Sequence, residues 1–276
     1  MNNEKTSKVA LVTGATSGLG AAIAAALAAE GWRVYGTGRN PAAETRPGEG
    51  RFPRFLPLDV RSGESIARAL AQVVAGEGGI DLLVACAGSG IAGSVEDSAM
   101  AAIETQMDVN FLGVVRTVKA CLPSMRERRR GKIIVIGSLA GRTGMPYQAF
   151  YSASKFALEG FVESLRYEVA PLGIQVCIVE PGDFRTGFTS ARRKPESVSE
   201  AYRDSFLRVI GIQEHDERNG SDPAKAASKI VALADTRRMP VRASVGSAFQ
   251  RLGIFLKRVI PAAWFEFLYK VYYKLG

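Results

Sequence analysis

Seven short runs of β-branched and aliphatic residues recur along the chain with helix-like segments between them, and this alternation limits the fold more than any other feature. The runs are Val9–Thr13, Arg33–Thr37, Arg54–Pro57, Leu82–Cys86, Lys132–Ile136, Gln175–Val179 and Val241–Val245. Strands with helices between them pair in parallel, because a parallel connection needs a crossover long enough to hold a helix. The spacing predicts an α/β fold, a doubly wound parallel sheet of about seven strands covered by helices on both faces. Helices are expected near 19–30, 63–76, 98–127, 151–170 and 222–234, with Gly31 closing the first and Asp222-Pro223 opening the last. At 276 residues and 47% apolar composition the chain can bury such a core as one domain, which excludes a disordered protein.

Charge divides this chain in two. The formal charge of +9 is compatible with a nucleic acid, an anionic membrane or an anionic ligand as partner, or with no role beyond solubility. Residues 236–276, however, hold eight Lys and Arg against Glu266 alone, a net +7, whereas the first 235 residues hold 28 basic and 26 acidic side chains. The body is near neutral, and the basic excess of the tail is interleaved with apolar residues, so nucleic-acid binding is disfavoured. The run Arg126-Glu127-Arg128-Arg129-Arg130 is expected to complement the dipole at a helix end. Cys86, Cys121 and Cys177 are too few and too widely spaced for a disulfide framework or a metal site, and they fit a reducing compartment such as the cytoplasm. Residues 9–29 carry no charge, but Gly14, Gly18 and Gly20 make them a strand, a turn and a helix instead of a membrane span. Met1-Asn2-Asn3-Glu4-Lys5 leads straight into a strand-like run, unlike a secretory signal.

The first strand runs into Thr13-Gly14-Ala15-Thr16-Ser17-Gly18-Leu19-Gly20, ahead of an alanine-rich helix. Glycines there let the backbone approach a pyrophosphate, and the helix N-terminus offers unpaired N–H groups to it. The second strand ends in Gly36-Thr37-Gly38-Arg39, with no acid to bind a free ribose; Arg39 suits a 2′-phosphate, favouring NADP(H) over NAD(H). Ser138 follows the fifth strand, and Tyr151 begins a helix with Lys155 one turn along. This spacing places phenol and ammonium on one face, where the positive charge is expected to lower the tyrosine pKa and fit it for proton transfer. The serine hydroxyl can hydrogen-bond a substrate oxygen. His215, the only histidine, is expected at the surface.

Taken together, these residues resemble the short-chain dehydrogenase/reductase family, of the Thr-Gly-x-x-x-Gly-x-Gly subtype, over residues 8 to about 190. The resemblance implies a Rossmann-type sheet. It assigns Gly14, Thr16, Ser17, Gly18, Leu19 and Gly20 to the pyrophosphate loop, Asp59 and Val60 to the adenine, and Ala87 and Gly88 to the adenosine side. It makes Ser138, Tyr151, Lys155 and Asn110 the catalytic set, with Asn110 fixing a relay water, and places Pro181, Gly182 and Thr186 beside the nicotinamide. One departure stands out: Ala85-Cys86-Ala87-Gly88 replaces the usual Asn-Asn-Ala-Gly, so the hydrogen bonds of those amides must be made otherwise. Cys86 is expected to be a packed thiol. The segments Tyr151–Phe161 and Pro181–Thr186 resemble the branch of 17β-hydroxysteroid and retinol dehydrogenases, implying a lipophilic ketone or secondary alcohol as substrate. The family habit implies a homodimer or homotetramer. A protein that keeps the fold only to sense a dinucleotide or act as a scaffold is the alternative; it would usually lack the tyrosine or the lysine.

Two segments lie outside that machinery. Residues 183–221 are polar, with Gly187, Pro195 and Gly211, and read as a substrate-side lid ahead of a catalytic-domain boundary at 245. Residues 246–276 read as two amphipathic helices: Phe249, Leu252, Phe255, Leu256 and Val259 stripe the first, and Trp264, Phe267, Leu268, Val271 and Leu275 the second, with Pro261 between. Either the stripes complete the core or a subunit interface, or they lie on an anionic membrane as a peripheral contact.

Overall fold

The structure, a computed structural model, describes residues 8–40 and 53–275; the Met1–Lys5 run lies outside them. Seven strands form one sheet: β1 (Val9–Thr13), β2 (Arg33–Gly38), β3 (Arg54–Pro57), β4 (Leu82–Ala85), β5 (Gly131–Ile136), β6 (Ile174–Pro181) and β7 (Arg242–Val245). Their order is β3-β2-β1-β4-β5-β6-β7, with every pair parallel. The order reverses between β1 and β4, which opens a crevice at their carboxyl ends.

Alternate residues of the central strands feed two cores. Leu11, Leu83, Ile133 and Val176 face α2 (Gly63–Glu77), α4 (Gly113–Glu127) and α5 (Ala149–Val169), which contributes Leu158, Val162 and Leu165. Ala10, Val12, Val84 and Ile134 face α1 (Gly18–Ala29) and α8 (Pro223–Asp235), with Ile23, Leu27 and Ile230. Strands buried on both sides lose the polar alternation of a half-exposed sheet, which is why their sequence runs read as continuously apolar.

Two segments differ from the sequence expectation. The helix expected over 98–127 is α3 (Met100–Met107), a five-residue π-helical turn (Asp108–Leu112) and α4. The wider turn contains Asn110, which is fully buried among polar partners described below. The polar stretch 183–221 carries α6 (Phe188–Ala191) and the 19-residue α7 (Glu200–Arg218). Phe206 and Ile210 of α7 close a small core with Ala92, and four buried positions in a polar helix were too thin a stripe to stand out.

The tail forms α9 (Ala248–Val259) and α10 (Ala262–Tyr273), but the stripes do not complete the core. Phe249, Leu252, Phe255, Val259, Trp264, Phe267, Leu268 and Val271 are all exposed. Phe265, Tyr269 and Tyr273, one turn apart, turn toward the body instead, with ring centroids 5.3 and 5.0 Å apart. Among the described residues no helix is long and apolar enough to cross a membrane. In the arginine run, Arg128 and Arg130 reach back to Asp81 at 2.9 and 3.6 Å, so part of that charge is neutralised within the fold.

Candidate active site

The turn after β1 is held against the loop after β4. Gly14 has φ +67°, and a Cβ there would come within 2.8 Å of the Ala87 Cα, so this position needs glycine for both conformation and approach. The Thr13 hydroxyl accepts hydrogen bonds from the Cys86 and Ala87 N–H groups at 3.0 and 3.1 Å. Thr13 thus ties β1 to the loop in which the family's asparagine amides are missing. Cys86 is half-buried in this loop, and desolvation pushes its thiol up to about 11.

Above this turn, α1 begins without a side-chain cap: Ser17 makes no cap hydrogen bond and the first turn carries no acid. By contrast, Ser62 caps α2, its Oγ accepting from the Ser65 N–H at 3.1 Å. The amides and positive dipole end of α1 are therefore free of side-chain competition, which fits an anionic pyrophosphate. Thr186 closes over the opposite side, within 3.6 Å of where a Gly18 Cβ would lie. Arg39 follows β2, and Asp59 is gripped by Arg61 at 2.6 Å, which holds its carboxyl below the usual range.

At the ends of β5 and α5, Ser138, Tyr151 and Lys155 come together. The Lys155 ammonium donates to the Ile136 carbonyl at 2.9 Å and lies 5.8 Å from the centre of the Tyr151 ring. Beneath them, the Asn110 Nδ2 donates to the Ser89 carbonyl (3.0 Å) and to Ser154 Oγ (3.1 Å), and its Oδ1 accepts from the Ser89 N–H (2.8 Å). The amide therefore clamps the β4 loop to α5. The electrostatics correct one expectation: burial pushes the Tyr151 phenol up to about 12, while the Ser138 hydroxyl draws it down in part. Desolvation also lowers Lys155 to about 8.

Every residue assigned a site role by the sequence, except the buried Asn110, lines one cleft of about 940 Å³. It runs from Arg39 past the glycine turn and Tyr151 to the tail helices. Residues 8–197 match the short chain dehydrogenase family. The chain belongs to that family. A 3-ketodihydrosphingosine reductase of Bacteroides thetaiotaomicron is 42% identical over 270 residues, covering 97% of this chain and 98% of the relative. Retinol dehydrogenase 8 of Bos taurus is 35% identical over 274 residues, covering 92% and 86%, in keeping with the branch expected from Tyr151–Phe161. A crystal structure of a short-chain dehydrogenase from Streptomyces avermitilis superposes over all of both chains with a TM-score of 0.83 at 34% identity.

Several residues of this short-chain dehydrogenase were not singled out by its sequence. Phe188 packs 5.6 Å from the Tyr151 ring, and the buried Arg192 pairs with Glu217 behind it. Asp183 lies in the loop after β6, its carboxyl raised to about 7 by burial and then by Glu217 and Asp216. Gln250 of α9 joins this loop to the tail: its Nε2 donates to Asp183 Oδ2, and its Oε1 accepts from the Asp183 N–H at 3.4 Å. A Cβ on Gly182 would run into that same amide. The only available signal was Ser247-x-x-Gln250, a capping box, which the structure contains. His215 lies at the surface of α7.

Proposed function

We propose that this short-chain dehydrogenase is an NADP(H)-dependent enzyme that interconverts a ketone and a secondary alcohol on a long-chain keto-lipid of the 3-ketosphingoid type. The observation that carries the reading is the grouping of Ser138, Tyr151 and Lys155 in one cleft with the glycine turn on one side and apolar tail residues on the other. A nicotinamide cofactor, when bound, supplies the hydride chemistry. The uncapped α1 terminus and the Gly14 turn would hold its pyrophosphate, and Arg39 its 2′-phosphate. Ser138 orients the substrate carbonyl through a hydrogen bond. Tyr151 donates its phenolic proton to the carbonyl oxygen as negative charge develops there. Lys155 stands over the phenol and faces the cleft beside Gly88. Asn110 acts as a positioning residue through Ser89 and Ser154.

Two features favour a keto-lipid. The far half of the cleft is walled by Phe188, Phe249, Leu252, Leu268 and Val271, which suit an alkyl chain. Asp183, Asp216 and Glu217 lie on the same wall and can accept hydrogen bonds from polar groups next to the ketone. The unpaired cysteines accord with a reducing, cytoplasmic setting. Cofactor consumption should be measured with long-chain 3-keto-lipids, retinoid, steroid and small aromatic ketones. The expected result is at least tenfold higher kcat/KM for the long-chain 3-keto-lipid, with NADPH preferred to NADH. Equal rates with NADH would remove the role given to Arg39, and no turnover of any ketone would favour the scaffold alternative.

A further inference from the structure

The tail helices present two apolar surfaces where an ordinary packed helix pair presents one. On the inner side, Phe265, Tyr269 and Tyr273 close onto the body. On the outer side, Phe255 (58% exposed), Val259 (58%), Trp264 (68%) and Phe267 (61%) stand in solvent. Between the two, Phe249, Leu252, Leu268 and Val271 are exposed and also line the catalytic cleft, so the outer patch continues into the cleft through its rim. Soluble proteins seldom leave so many large apolar side chains contiguous without a partner.

From this continuity and from the charge around it, we infer that α9 and α10 dock on an anionic lipid surface with the mouth of the catalytic cleft opening into the apolar layer. Arg251, Arg258 and Lys274 are exposed near the patch, and residues 236–276 carry a net +7. Their only acid, Glu266, is paired with Lys270 at 2.7 Å. A second copy of this chain meeting the patch symmetrically would set one strongly basic segment against another and would seal the mouth of the cleft. An anionic bilayer instead neutralises the basic residues and receives the aromatics at its interface, at the depth where a monotopic helix lies. Lys257 takes no part: it donates to the Arg142 carbonyl at 2.6 Å and anchors α9 to the body. The Gln250–Asp183 contact joins the docked helix to the loop beside the catalytic tyrosine. A substrate whose chain is already buried in lipid would then enter without crossing water. The inference rests on the keto-lipid reading for its purpose, but on the exposed patch for its evidence.

The full-length protein should be sedimented with vesicles of phosphatidylglycerol and phosphatidylcholine (3:1) and with pure phosphatidylcholine vesicles. We expect it to pellet with the anionic vesicles and much less with the neutral ones. The variant Phe255→Ser/Trp264→Ser/Phe267→Ser changes side chains that face solvent and do not line the cleft. It should lose vesicle binding at least tenfold while reducing a water-soluble ketone at the wild-type rate. Arg251→Gln/Arg258→Gln should weaken binding to anionic vesicles by about fivefold per arginine. The chain has two tryptophans, and Trp32 is buried (4% exposed), so a vesicle-induced blue shift in emission reports Trp264. Wild-type protein that stays in the supernatant, a triple variant that pellets like wild type, or a patch that holds a dimer without binding vesicles would each overturn the inference. Vesicle binding with no ketone turnover would retain the docking surface and strike the functional reading instead.

Discussion

At the residue scale, order along the chain made Ser138, Tyr151 and Lys155 legible, because a serine after the fifth strand and a Tyr-x-x-x-Lys helix follow a glycine turn in few other contexts. The direction of the tyrosine pKa was not legible. It depends on how much solvent reaches the phenol, and the i,i+4 spacing gives only the nearness of the lysine. Nor was the Thr13 hydroxyl, whose two N–H partners lie more than 70 residues away. Asp183 makes a testable case. Its folded pKa of about 7 lies above the ordinary 3.8, so between these values the folded protein holds a proton that the unfolded chain has released. Its contribution to stability therefore falls as pH rises from about 4 to 7 and is constant above that. Asp183→Asn lacks this loss. Urea unfolding should find the variant gaining on the wild type by roughly 1 kcal/mol from pH 4.5 to 7.5, allowing for the solvent that still reaches the group; a constant difference would remove the burial effect assigned to Asp183.

At the element scale, strands and strongly periodic helices were readable, whereas features fixed by contacts distant in sequence were not. The π-helical turn at Asn110 follows from bonds to Ser89 and Ser154, and α7 from four buried positions among polar neighbours. The edge strand β7 shows a similar dependence. Arg242 lies 2.9 Å from Glu159, 3.2 Å from Glu163 and 3.6 Å from Glu180, and Arg142 approaches Glu180 at 3.1 Å. Glu159 and Glu180 are buried, and burial raises Glu159 to about 7 despite the arginine. Removing Arg242 leaves the buried Glu159 without a cation beside Glu180, which keeps Arg142, a costlier state than losing the whole cluster. Arg242→Met should cost about 3 kcal/mol in urea unfolding at pH 7.5. The cost should shrink toward pH 5, where Glu159 takes up a proton in both proteins; a loss under about 0.5 kcal/mol would show that the cluster does not hold β7.

At the scale of the whole molecule, the charge of +9 belongs mostly to the tail, a division visible in the sequence because it needs only counting. Which face of each tail helix turns inward was not visible. Both faces are apolar, and the choice falls to Phe265, Tyr269 and Tyr273, whose rings pack on one another against the body. Among the described residues, neither main core contains one from the tail helices, so the tail acts as a wall of the cleft and not as a support of the sheet. The molecule thus combines a cleft half built on the glycine turn, Ser138 and Tyr151 at the junction, and an apolar half that ends at its surface. The Tyr151→Phe variant tests that combination most directly, with NADPH binding followed by fluorescence titration and turnover followed on a long-chain 3-keto-lipid. Loss of the hydroxyl should leave cofactor affinity within about twofold and lower kcat at least about a hundredfold, the usual share of a general acid. A variant that reduced the ketone at the wild-type rate would contradict the account.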